Sequence, residues 1–183
     1  MNTIPDDIDF EAYLKGPDES AMVQPASRWL DEVIQSFERP HDQHGACLPW
    51  SVTHRVVRLR RGELSIWPGM SGHGKSMLIG QVALRLMAQG EKVCIASMEM
   101  KPASTMQRMC RQAFGSNQPS RRDIRDLHDW TNGRLWLYDQ QGQVSPERIL
   151  AVARYCHEQL EVTHFVVDNL LSCGIAEDGY DAQ

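Results

Sequence analysis

Between residues 75 and 88 apolar side chains recur at Met77, Leu78, Val82, Ala83, Leu84, Leu86 and Met87, with Gly90 just beyond. This is the spacing of a helix that buries one face and stops at a glycine. Ahead of it, the stretches 56–59 and 63–67 read as strands, the second being Glu63-Leu64-Ser65-Ile66-Trp67 and closing at Pro68-Gly69. Behind it the pattern repeats. A strand is predicted at 92–97, then a helix near 103–114 with Pro102 before it and Gly115 after it. A second helix opens at Ser120, where the spacing to Asp123 resembles a capping box, and ends near Asn132-Gly133. A strand at 134–138, a helix from Pro146 capped by Ser145, and a strand at 163–168 complete the series. Strands alternating with helices predict an α/β fold: a mostly parallel sheet with flanking crossover helices.

The first 25 residues lack this order. Acids, Gly16, Pro17 and Pro25 mix with few periodic apolar positions, which predicts a tail that buries too little to order itself. From Ser27 onward Trp29, Leu30, Val33, Ile34 and Phe37 share one helical face, and Pro40 closes the segment. That apolar stripe either packs on its own domain or docks on a neighbouring subunit. The chain therefore divides into 1–45, acidic tail plus amphipathic linker helix, and 46–183, the α/β domain.

At 183 residues, 42% hydrophobic and 23% charged, the chain suits one ordinary domain with a packed core. No apolar run approaches the roughly 20 residues of a membrane helix, and the start Met1-Asn2-Thr3-Ile4-Pro5-Asp6 lacks a signal peptide's basic and apolar regions. No membrane association and a cytoplasmic location are expected. Cys47, Cys94, Cys110, Cys156 and Cys173 are scattered and odd in number, so they read as reduced thiols. His41, His44 and Cys47 have metal-ligand spacing, but no fourth ligand accompanies them and a polar linker is the preferred reading. The net charge of -5 argues against holding nucleic acid by general electrostatics. However, Asp6, Asp7, Asp9, Glu11, Asp18 and Glu19 against Lys15 place all of that excess within the first 20 residues. Basic clusters remain at Arg55, Arg58, Arg60 and Arg61 and at Arg121, Arg122 and Arg125, either solvated faces or DNA contacts.

The stretch joining the second strand to the first helix, Gly69-Met70-Ser71-Gly72-His73-Gly74-Lys75-Ser76, carries the chemistry. Gly69, Gly72 and Gly74 permit a tight backbone whose N–H groups turn inward on phosphates, and the following helix adds the positive end of its dipole. Lys75 is expected at the β and γ phosphates of ATP, and the Ser76 hydroxyl on Mg²⁺. At average glycine usage the four fixed positions arise by accident in roughly one chain in a hundred or fewer.

A phosphate cradle leaves kinase, GTPase and motor open, so the other strand ends discriminate. Asp168 ends the apolar run Phe165-Val166-Val167, and is either an ordinary strand-ending acid or, as expected with the cradle upstream, a carboxylate at the carboxyl edge of a parallel sheet that can hold the Mg²⁺ water shell. Glu99, in Ser97-Met98-Glu99-Met100, reaches the same edge and is either a solvated loop residue or the group that polarises the attacking water.

Gly62-Glu63-Leu64, Ser97-Met98-Glu99-Met100, Leu135-Trp136-Leu137-Tyr138-Asp139 with Ser145-Pro146-Glu147, and Phe165-Val166-Val167-Asp168-Asn169-Leu170, taken in order from about 60 to 170, together resemble the ATPase domain of DnaB-type and Twinkle-type ring helicases. The cradle with Gly-His-Gly-Lys-Ser also resembles phage and prophage helicase proteins. The resemblance implies a RecA-like domain that works in a ring, usually hexameric, on single-stranded DNA, with Glu99 as the catalytic glutamate. It further implies that the strand after Asp168, with its γ-phosphate sensor, the DNA-binding loops and the arginine finger lie beyond Gln183. The chain is thus expected to be the N-terminal portion of such a domain, with unpaired backbone where the next strand belongs. The helix from Ser27 stands where ring helicases place a helix that grips the next subunit. Trp50, after Pro49, either stacks on a base or packs on its own domain. Three readings remain: a hydrolysing motor, a nucleotide-binding partner or relic that does not hydrolyse, and a recombinase-like or loader ATPase on the same core.

Overall fold

The computed structural model describes residues 2–3, 8–14, 23–38, 45–70 and 72–173. Among these, the strands are β1 (Asn2–Thr3), β2 (Ala46–Cys47), β3 (Arg58–Leu59), β4 (Val93–Ser97), β5 (Leu135–Tyr138) and β6 (His164–Asp168). The helices are α1 (Leu30–Glu38), α2 (Lys75–Ala88), α3 (Pro102–Phe114), α4 (Arg121–Thr131) and α5 (Pro146–Leu160).

Four strands form one parallel sheet in the order β1-β5-β4-β6. Register follows the pleat. Val93 and Ile95 of β4, with Leu135 and Leu137 of β5, join Leu86 and Met87 of α2, Met106 and Met109 of α3 and Leu127 of α4 in one core. The intervening Cys94, Ala96, Trp136 and Tyr138 join Ile149, Val152 and Cys156 of α5 in the other. Every residue of β4 is buried, as a strand covered on both faces requires, and this is why its sequence is a continuous apolar run rather than an alternation. The mostly parallel sheet with flanking helices expected from the sequence is the architecture observed.

Two predicted strands differ. Residues 63–67 form no strand, and Leu64 and Ile66 are 88% and 69% exposed. The stretch 56–59 shortens to β3, which pairs antiparallel with β2 in a separate ribbon. An alternating pattern marks the capacity to pair, whereas the ladder itself needs a neighbour's N–H and C=O groups. β6 bonds to β4 on one side, and its other edge carries no strand among the described residues.

The expectation of an unordered tail fails for the described part of residues 1–25. Asn2 and Thr3 stand in register with Trp136 and Leu137 of β5. Phe10–Leu14 forms a 3-10 turn packed on α5, with Phe10 buried and the rings of Phe10 and Tyr13 both edge-on to Tyr155. Arg148 lies over the Phe10 ring, and Arg154 donates to the Tyr13 carbonyl at 2.7 Å. The acidic composition hides three well-spaced anchors, Ile8, Phe10 and Tyr13, each large enough to bury substantial apolar area. Residues 15–22 and Pro40 to His44, including His41, lie outside the described residues. α1 follows a 3-10 turn at Ala26–Trp29 and exposes Leu30, Ile34 and Phe37.

Candidate functional site

Gly74 caps α2 with φ +85°, and Gly72 has φ +79°; both need the left-handed backbone that glycine adopts without penalty. The result is a turn that delivers the chain into the N-terminus of a 14-residue helix, where the first backbone N–H groups have no partner within the helix. The Lys75 ammonium curls back on this turn, donating to the carbonyls of Gly69 at 2.6 Å and Met70 at 2.9 Å. A Cβ at Gly69 would come within 3.2 Å of the Lys75 side chain, so the glycine makes room for that lysine. His73 and Met70 are joined by a turn hydrogen bond of 3.3 Å and are exposed, and Ser71 lies outside the described residues.

Ser76, one residue into α2, and Asp168, at the end of β6, line a common cavity of about 20 Å³. Ser97 at the end of β4 and Thr105 and Arg108 of α3 line it too. A hydroxyl and a carboxylate are oxygen donors suited to a hard divalent cation that keeps most of its waters. Parallel register brings the two strand ends level: Ser97 opposes Asp168, and Met98 N–H donates to the Asp168 carbonyl at 2.9 Å. Glu99 lies just past that contact. It is exposed, and one carboxylate oxygen accepts from the side-chain amide of Asn169, the residue after Asp168.

Of the residues expected from sequence, Ser76 and Asp168 thus share one cavity, with Glu99 beside it through Asn169. Lys75 does not line that cavity; its ammonium is occupied at the far end of the loop. Sequence reasoning missed Ser97, Thr105, Arg108 and Asn169. Arg108 carries no periodic or motif signal, because only the packing of α3 against the sheet aims it. Asn169 was legible in principle as the polar residue directly after a strand-ending acid.

The other candidates resolve differently. Arg58 donates to the Cys47 sulfur and Arg60 pairs with Glu63 at 3.3 Å, so half of that basic cluster is engaged within the fold. Arg121, Arg122 and Arg125 are exposed on α4, with Arg122 3.7 Å from Asp126. Trp50 is partly exposed at the start of a 3-10 turn. A larger cleft of about 450 Å³ lies between α2, α3 and α4, lined by Leu84, Arg85, Gln112, Phe114 and Trp130, and holds none of the expected residues.

Among the described residues no helix is long and apolar enough to cross a membrane. A family model described as an AAA domain matches residues 34–183. Comparison with curated proteins finds no match.

Proposed function

Because the chain belongs to the AAA-domain family, and is therefore a nucleotide-binding P-loop ATPase domain, we propose that it is the ATP-hydrolysing motor portion of a DnaB-type ring helicase that acts on single-stranded DNA in the cytoplasm. The observation that carries the nucleotide chemistry is the common cavity of Ser76 and Asp168 at the N-terminus of α2, with Glu99 at its margin. The triphosphate lies along the turn Gly69-Met70-Ser71-Gly72-His73-Gly74, held by backbone N–H groups and the dipole of α2. Lys75 leaves the carbonyls of Gly69 and Met70 for the β and γ phosphates. Ser76 and Asp168 are the residues that would hold Mg²⁺, which would supply positive charge to offset that of the phosphate oxygens. Glu99 orients a water and takes its proton as the water oxygen bonds to the γ phosphorus; the bond from that phosphorus to the β–γ bridging oxygen breaks, leaving ADP and phosphate.

The order of motifs from Gly62 to Leu170 supports the helicase assignment, and α1, with its exposed apolar residues, is the element we assign to ring contacts. Phosphate release by the purified chain with Mg²⁺ and ATP tests the reading, and single-stranded DNA should raise it. Lys75→Ala should abolish nucleotide binding. Glu99→Gln should bind normally while turnover falls about 10²- to 10⁴-fold, the range expected for loss of a general base; an active Glu99→Gln protein would remove the base assignment.

One observation favours a second reading. Residues 63–67, which lead directly into the turn, stand outside the sheet, so ahead of the loop the chain is held by the packing of Trp67 on the core and not by a strand ladder. A partner or relic that binds nucleotide without turnover would tolerate that arrangement, and binding without phosphate release would identify it.

A further inference from the structure

Asn169 is held at both ends of its side-chain amide. Its oxygen accepts from the Ser172 backbone N–H at 3.1 Å and from the Ser172 hydroxyl at 3.2 Å, and its nitrogen donates to Glu99. The orientation is determined chemically. Turned over, the amide would set its NH₂ against the Ser172 N–H and its oxygen against a carboxylate, losing both contacts. The frame around this pair is bonded as well. Met98, which precedes Glu99, donates its N–H to the Asp168 carbonyl and accepts from Gly142 N–H at 3.1 Å, while the Ser172 carbonyl accepts from Val144 N–H at 2.9 Å. Three separate chain segments, 97–99, 142–144 and 168–173, are thereby tied together around one carboxylate.

From this geometry we infer that Asn169, oriented by Ser172, is the positioning residue of Glu99, fixing one carboxylate oxygen so that the other faces the attacking water. The inference rests on the hydrolytic reading above. Fixing the rotamer of an exposed glutamate matters because a misplacement of about 1 Å in a reacting group costs on the order of a hundredfold in rate.

Asn169→Asp tests it in the full chain. The aspartate keeps an oxygen for both Ser172 donors, removes the N–H directed at Glu99 and sets a second negative charge against that carboxylate, so Glu99 loses its anchor and is pushed from its place. Turnover number should fall at least about tenfold, while KM and the affinity for a fluorescent ATP analogue stay within about twofold. Turnover unchanged, or affinity lost in parallel with turnover, overturns the inference. A second measurement does not depend on hydrolysis: the Asn169 side-chain amide resonances, assigned by their disappearance in Asn169→Asp, should move in both Glu99→Ala and Ser172→Ala. If they stay in place, the contact is absent and the inference fails whatever the turnover. Should they move while the unaltered protein binds ATP and releases no phosphate, the hydrolytic reading alone falls, and Asn169 positions a glutamate without a catalytic step.

Discussion

The Lys75 ammonium holds the carbonyls of Gly69 and Met70, so a triphosphate entering the turn competes with two existing hydrogen bonds for it. Charged donors prefer an anionic oxygen to a neutral carbonyl, which sets the direction of that exchange. At the opposite end of the sheet a different residue is tuned by its surroundings. Burial pushes the His164 imidazole below its usual value of 6.5; the Glu91 carboxylate, 3.7 Å away, pulls it partly back, and the Arg61 guanidinium adds to the lowering. The unfolded chain therefore binds the proton more readily than the folded one, and this contribution to stability is complete above pH 6.5 and lost as pH falls through the folded value. Denaturant midpoints at pH 7.5 and 5.5 should differ more for the natural chain than for His164→Gln; equal differences would show that His164 is not the sensor.

The elements whose ends are written locally form as the sequence predicts. Ser120 and Asp123 exchange hydrogen bonds of 3.2 and 2.9 Å to start α4, and Ser145 accepts from Arg148 N–H to start α5 after which Pro146 sets the first turn. The N-terminal segment depends instead on a surface made by other elements. Phe10 is 2% exposed against α5, where it meets the Tyr155 ring and the Arg148 guanidinium. Phe10→Ala should cost about 3 kcal/mol in denaturant unfolding, the low end for an emptied aromatic site. A loss below about 0.5 kcal/mol, the range of ordinary surface changes, would mean that the segment does not pack as described.

Across the whole molecule the sheet is unevenly protected. β5 is covered at its edge by β1, while β6 presents an edge with no strand on it among the described residues, and Leu64 and Ile66 stand exposed just ahead of the site in sequence. Unpaired edges and exposed apolar side chains promote association between copies. Replacing Leu64 and Ile66 together with lysine should lower light scattering at high protein concentration; unchanged scattering would locate the adhesive surface elsewhere, for instance on α1.

The glycine-rich turn, the helix behind it, the capped helices and the central apolar strands were all legible in the sequence, because each is encoded by residues within a turn or two of one another. Glu99 and Asp168 were legible as strand-ending acids for the same reason. Tertiary structure alone decided that Ser76 and Asp168 share a cavity with Arg108, that Asn169 faces Glu99, that residues 63–67 stay out of the sheet and that an acidic N-terminus anchors an aromatic cluster. Those outcomes depend on which surfaces meet from distant parts of the chain, 70 residues apart for Glu99 and Asn169, and local pattern carries no record of the partner.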